Sequence, residues 1–118
     1  ERAARLKRTR AVLDAGVPLS FSSDLPIVNG APWDGIEMAV TRAGGFDPDE
    51  RVSLSEALEA YTTGGATANL DVGSAGALSS GQWADYQVYE FDPLATSESS
   101  RRVPQSMQSA GSVPERRH

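Results

Sequence analysis

Asp24, in the run Ser23-Asp24-Leu25-Pro26, is the carboxylate whose setting points to chemistry. Ahead of it Val17, Leu19 and Phe21 alternate with Pro18, Ser20 and Ser22, and Gly16 stands just before the run. Alternation with period two predicts a short buried strand over residues 17–22, which places Asp24 at the strand's exit. In a barrel of alternating strands and helices that end is the catalytic face, because the loops leaving the strands converge there. Paired with Asp34 or Glu37, Asp24 could do general acid and base work, as two carboxylates do in glycoside hydrolysis. The bland readings are the commoner ones. An aspartate two residues before a proline usually serves only as a turn or cap residue, and acids at a helix start usually oppose the macrodipole.

What the chain lacks narrows the chemistry further. Its one histidine is His118 and it has no cysteine, which excludes a His-based metal cluster, a Ser-His-Asp triad and a Cys-His pair within these residues. No Walker-type phosphate loop occurs, and Gly73-Ser74-Ala75-Gly76 is too short a match to a dinucleotide fingerprint to be used.

The elements that must position Asp24 fit within 118 residues, the size of one small domain or a piece of a larger one. A hydrophobic fraction of 39% exceeds what a wholly disordered chain carries. The absence of cysteine rules out a disulfide framework and makes reducing cytoplasm the expected compartment. No apolar run approaches the roughly 20 residues that span a bilayer, and residues 1–10 lack the apolar core of a signal peptide, so no membrane partner is expected. A net charge of -5 argues against nucleic acid as a partner, since phosphate binding depends on clustered Lys and Arg. The local basic run Arg2, Arg5, Lys7, Arg8 and Arg10 has Ala3, Leu6 and Leu13 interleaved at helical spacing, which favours a solvated helix face over a nucleic-acid patch.

In chain order, the pattern predicts a helix over residues 2–15 ended by Gly16, then the strand, then a loop over residues 27–31. Pro32 can open the next helix, which runs to Arg42 with Trp33, Ile36, Ala39 and Val40 on one face and Gly44-Gly45 as its stop. After a charged loop over residues 46–52, Ser53 with Glu56 forms a capping box, and Leu54, Ala57, Leu58 and Tyr61 make the buried stripe of a helix. Gly64-Gly65 is expected to interrupt it, with one more helical turn over residues 66–70. Ala84, Tyr86 and Val88 then alternate with Asp85, Gln87 and Tyr89, the pattern of a strand with one covered face. From Leu94 the chain is rich in Ser, Arg, Gln and Pro and reads as a poorly ordered tail, with at most a weak strand within residues 103–113.

Four stretches carry a resemblance: Ala15-Gly16-Val17 leading to Ser23-Asp24-Leu25-Pro26; Ala39-Val40-Thr41-Arg42; Ser53-Leu54-Ser55-Glu56-Ala57-Leu58 through Tyr61-Thr62; and Gly76-Ala77-Leu78 with Gly81, Ala84-Asp85 and Asp92-Pro93. In this order and spacing they resemble the C-terminal end of a metal-dependent amidohydrolase, in the branch that includes N-substituted formamide deformylases. The resemblance covers residues 10–93. It implies an α/β fold, the last strand and closing helices of a (β/α)8 TIM-like barrel followed by strands of a small β-sandwich. Residues 1–70 would end the barrel, 71–93 return to the sandwich, and 94–118 form the tail. Asp24 matches the aspartate at the end of the eighth barrel strand, with an implied role as metal ligand and as the base that takes a proton from the attacking water. The cofactor implied is a divalent metal, zinc first, in the complete enzyme, and none for this chain alone.

Ser22 stands where that family usually has glycine, Gly65 where a bulkier residue is usual, and Gln82 where a basic one is. The family's histidines have no counterpart in these residues. The partners implied are a small-molecule amide substrate and the remaining barrel portion. Two functions follow: part of a hydrolase of carbon-nitrogen bonds other than peptide bonds, inactive by itself, or a non-catalytic remnant that docks on a complementary chain.

Overall fold

The computed structural model describes residues 6–89, 92–94 and 109–110. Four helices make up most of its regular structure: α1 (Thr9–Asp14), α2 (Pro32–Thr41), α3 (Leu54–Tyr61) and α4 (Thr63–Ala68), with a 3₁₀ turn at Pro48–Glu50 between α2 and α3. Two short strands, β1 (Tyr86–Gln87) and β2 (Ser109–Ala110), pair antiparallel, Tyr86 opposite Ala110.

Helix α2 starts and stops where its sequence dictates. Pro32 opens it without the loss of a needed donor, and Arg42 closes it at φ 55 with its N–H bonded to the Met38 carbonyl. Gly44 and Gly45 follow at φ 81 and 86, conformations that most side chains resist. Helix α3 begins at the predicted capping box: the Glu56 N–H donates to Ser53 Oγ at 3.2 Å, and the Ser53 N–H donates to Glu56 Oε2 at 2.7 Å. The apolar faces of α2 and α3 meet in the core, where Ile36, Ala39 and Val40 pack against Val52 and Ala57. Leu13, Phe21, Trp33, Leu54, Leu58 and Tyr61 cover its edge, each half-buried. The predicted stripes therefore hold, but the large side chains reach only the margin of the core. Among the described residues no large side chain is fully buried.

Four expectations need correction. The helix predicted over residues 2–15 begins only at Thr9, since Lys7 turns the chain at φ 52; its first residues, 2–5, lie outside the described residues. Its start depends on a distant acid. Glu50, buried at 7% exposure, takes the Ala11 N–H on Oε2 at 3.0 Å and Arg8 Nε on Oε1 at 3.2 Å, so a carboxylate from the 3₁₀ turn caps α1. The Ala11 N–H, with the Arg8 guanidinium second, holds the Glu50 carboxyl below the usual carboxylate range.

Residues 17–22 form no ladder. Their burial does alternate, with Leu19 and Phe21 half-buried and Ser20 and Ser22 exposed. The Phe21 N–H donates to the Ala60 carbonyl at 3.1 Å, a bond to the end of a helix, and no described strand lies alongside. A strand needs a neighbour to be one, and Val17, expected buried, is 51% exposed.

Gly64 and Gly65 do not interrupt. The break falls at Thr62 (φ -104, ψ -90), and both glycines lie inside α4. The segment expected to be a covered strand over residues 84–89 shrinks to β1, and both its residues are exposed. It is tethered instead by Tyr89, whose ring meets Trp33 edge-on at 5.8 Å and whose hydroxyl accepts from Trp33 Nε1 at 3.2 Å. Most of the tail, residues 95–108 and 111–118, lies outside the described residues, but β2 falls within the window 103–113 where a weak strand was expected.

Two residues of the basic run, Arg8 and Arg10, are engaged in ion pairs. Arg10 makes a two-pronged ion pair with Glu56, Nη1 to Oε2 at 3.0 Å and Nη2 to Oε1 at 2.7 Å, and its Nε reaches Asp14 at 3.0 Å. The Arg10 guanidinium, with the Ser53 N–H second, lowers the Glu56 pKa from 4.5 to about 2. A depressed carboxylate pKa stabilises the fold fully above the unfolded value and loses that contribution as pH falls through the folded one. Glu56→Gln should therefore lower the thermal midpoint at neutral pH, and the gap to wild type should close between 4.5 and about 2. Thermal melts across that range check it; a gap that persists at the acid end would contradict the ion-pair assignment.

Candidate active site

Asp24 lies just past residues 17–22, in a turn that the chain closes on itself. The residue takes the left-handed conformation at φ 54, which aspartate and asparagine enter more readily than most. Its carbonyl accepts from the Ile27 N–H at 2.9 Å, and the Leu25-Pro26 peptide bond between them is cis. The Asp24 N–H points at Ser22 Oγ, 3.3 Å away. The backbone of Asp24 is thus engaged on both sides, while the residue is exposed at the rim of a cleft.

That cleft has a volume of about 700 Å³ and runs between α1, residues 19–24 and α2. Val12, Leu19, Phe21 and Met38 make its wall apolar, and Asp24, Asp34 and Tyr61 bring polar groups to it. Of the two carboxylates considered as partners for Asp24, the fold brings Asp34 to the same cleft; Glu37, three residues further on, is exposed and does not line it. Asp34 is held by Asn29, whose Nδ2 donates to Asp34 Oδ2 at 2.8 Å.

Tyr61, placed in the buried stripe by its spacing, also faces the cleft. Burial first, and the charge of Asp34 second, raise its pKa above the ordinary tyrosine value, so it stays a neutral phenol. Its ring lies edge-on to Phe21 at 5.5 Å. Its hydroxyl occupies the space where a Cβ on Gly35 would stand, so any larger residue there would push the Tyr61 ring out of this position. Neither Asn29 nor Tyr61 is signalled as a site residue by spacing. Asn29 reads as loop and Tyr61 as core, and only the folded chain puts both beside the carboxylates.

Arg42, in one of the stretches that carry the resemblance, has a structural use. It is 6% exposed, donates from Nε to the Asp47 carbonyl at 3.1 Å and from Nη2 to the Leu6 carbonyl at 3.2 Å, and lies over the Phe46 ring at 5.2 Å. It ties the loop after α2 to the segment before α1.

The donor set does not make a metal site by itself. Among the described residues no three His, Cys, Asp or Glu side chains gather where they could hold one ion, whereas catalytic zinc takes three protein ligands. Asp24 can contribute one carboxylate from the cleft rim to a site completed by other residues. Among the described residues no helix is long and apolar enough to cross a membrane.

The chain is similar to an N-substituted formamide deformylase of Arthrobacter pascens, 32% identical over 94 residues, which cover 76% of this chain and 17% of that protein. It thus spans less than a fifth of the relative's length. No solved structure matches it. The model of the amidohydrolase family matches residues 1–107, and with so much of its length covered the chain belongs to that family.

Proposed function

We propose that this chain is the C-terminal part of a metal-dependent hydrolase that cleaves carbon-nitrogen bonds outside peptides, in N-formyl or N-acyl amides. The observation that carries the reading is Asp24, a carboxylate held in a closed left-handed turn at the rim of an apolar cleft, in a chain of the amidohydrolase family. In the complete barrel a divalent metal would polarise the amide carbonyl and lower the pKa of the attacking water. Asp24 serves there as one metal donor and as the acceptor, at a carboxylate oxygen, of the proton that the water gives up. The apolar wall suits a substrate whose nitrogen carries an apolar substituent. The formamide hydrolysis named for the relative is the substrate class to test first.

The partner is the remaining barrel. Residues 17–22 run beside no described strand, and Leu25, Ile27, Val28 and Met38 next to them are 41 to 76% exposed. Exposed large apolar side chains close to one cleft, with Val28 and Met38 lining it, mark a face that another surface covers. The isolated 118 residues are therefore expected to self-associate, and sedimentation at increasing concentration checks this. A monodisperse monomer with one sharp thermal transition would instead mark an independent domain.

Metal analysis tests the reading directly. The isolated chain should retain no divalent ion after dialysis. A polypeptide that includes the remaining barrel should hold one or more and hydrolyse an N-substituted formamide, losing activity to a chelator and regaining it with zinc. A metal-free complete polypeptide with full activity would overturn the proposal.

A further inference from the structure

The loop that follows Asp24 is fastened to α2 by one side chain. Asn29 uses both ends of its amide: Nδ2 donates to Asp34 Oδ2 at 2.8 Å, and Oδ1 accepts from the Ala31 N–H at 3.0 Å. The polarity is fixed, because the carboxylate can only accept and the backbone N–H can only donate. These two bonds pin residues 29–31 against the first turn of the longest helix. Gly30, between them, lies against Leu25: a Cβ there would stand 3.6 Å from Leu25 Cδ1 and 3.8 Å from Cδ2, ordinary packing distances. Leu25 is the residue after Asp24, and the Ile27 N–H closes the same turn on the Asp24 carbonyl. From Asp34 the Asn29 bond thus fastens a loop in which Gly30 faces Leu25 and the Ile27 N–H closes on the Asp24 carbonyl.

We infer that Asn29, locked by Asp34, is a positioning residue that fixes the loop bearing Asp24 and so aims its carboxylate into the cleft. The inference rests on the role assigned to Asp24 above. The clamp matters because the bonds that close the Asp24 turn, to Ser22 Oγ and from the Ile27 N–H, lie within the loop and do not themselves reach α2. The Asp24 side chain itself is exposed. A catalytic group held loosely forfeits rate: a misplacement of about 1 Å can cost on the order of 100-fold. Asn29 touches neither Asp24 nor the reacting atoms, so its loss should act on turnover through placement and leave substrate affinity nearly unchanged.

The test is a polarity swap in a polypeptide with the complete barrel, assayed as formate released from an N-substituted formamide. Asn29→Asp faces Asp34 with a second carboxylate and removes the donor; kcat should fall about 10- to 100-fold with KM within about three-fold. Adding Asp34→Asn restores the bond in reverse, since the new amide at position 34 donates to the carboxylate at position 29, which still accepts from the Ala31 N–H. The double variant should turn over at least about five-fold faster than Asn29→Asp alone, since the clamp is restored whatever Asp34 itself contributes in the cleft. Should Asn29→Asp fail to fold, Asn29→Ser, which keeps an acceptor for Ala31 but cannot reach Asp34, should show the same loss in kcat. Single variants within about three-fold of wild type, or a double variant as slow as the single one, overturn the inference. Asp24→Asn assayed in parallel separates the two claims. If it is inactive while the Asn29 variants are active, only the positioning role fails; if it is fully active, the role of Asp24 falls and this inference with it.

Discussion

Asp24→Asn is expected to lower turnover of an N-substituted formamide about 100- to 10,000-fold in a polypeptide that completes the barrel, the range that general base catalysis supplies. The substitution isolates chemistry from folding unusually well at this position. Asparagine keeps the size of the side chain and one acceptor oxygen but removes the charge and the ability to take a proton. It also tolerates the left-handed backbone at φ 54 as readily as aspartate does. The hydrogen bonds that close the turn, from the Asp24 N–H to Ser22 Oγ and from the Ile27 N–H to the Asp24 carbonyl, are made by backbone atoms of Asp24 and survive the change. The expected result is therefore an unchanged thermal midpoint with lost turnover. A variant that holds its metal and stays within a few-fold of wild-type kcat would sink the base role. If metal and activity disappear together, the pH dependence of the residual rate, measured with zinc in excess, separates loss of a ligand from loss of a base.

The second large effect is on stability, and it sets two adjacent glycines of α4 against each other. A Cβ added at Gly64 would collide with the Leu19 carbonyl oxygen and come within 3.2 Å of the Glu59 carbonyl oxygen. Both neighbours are backbone and cannot swing aside as a side-chain tip could. Gly64→Ala should destabilise the fold by about 1 to 3 kcal/mol, the usual cost of overpacking, even though alanine favours a helix by about 1 kcal/mol over glycine. Gly65, one residue on, has nothing within 4 Å of its Cβ position, so Gly65→Ala should keep the helix-propensity gain and stabilise by up to about 1 kcal/mol. Denaturant midpoints for the two variants check the opposite signs. Equal gains would show that α4 does not press on Leu19. The effect reaches the site as well, because Leu19 belongs to the stretch that leads into Asp24, and moving it to make room should slow turnover too.

The legibility of the chain follows from the range of the forces. The capping box of Ser53 and Glu56, the opening of α2 at Pro32 and the helix stops at Gly16 and Gly44-Gly45 were all readable, because each is settled within a few residues. The face shared by Ile36, Ala39 and Val40 was readable for the same reason: helical period is a local property, and the apolar residues on it have to be covered. Asp24 was picked out as the residue of interest by its position after the alternating run. Its turn geometry was not, nor was the company of Asp34 rather than Glu37, since both depend on where α2 comes to lie.

Residue type and spacing alone determined α2 and α3, the Pro32 opening and the capping box of Ser53 and Glu56, and singled out Asp24 as the carboxylate worth testing. Tertiary structure decided the rest, wherever the partner lies far along the chain. Helix α1 begins at Thr9 because Glu50, 39 residues from Ala11, supplies the missing cap. Helix α4 runs through two glycines because the first of them lets it close on Leu19. The reverse holds for residues 17–22, which have the alternation of a strand but no strand beside them among the described residues, and a ladder exists only between two partners. Asn29 and Tyr61 became site residues on the same terms. An amide in a loop and a phenol in an apolar stripe acquire a role only when folding sets them beside Asp34, and no local pattern encodes that meeting.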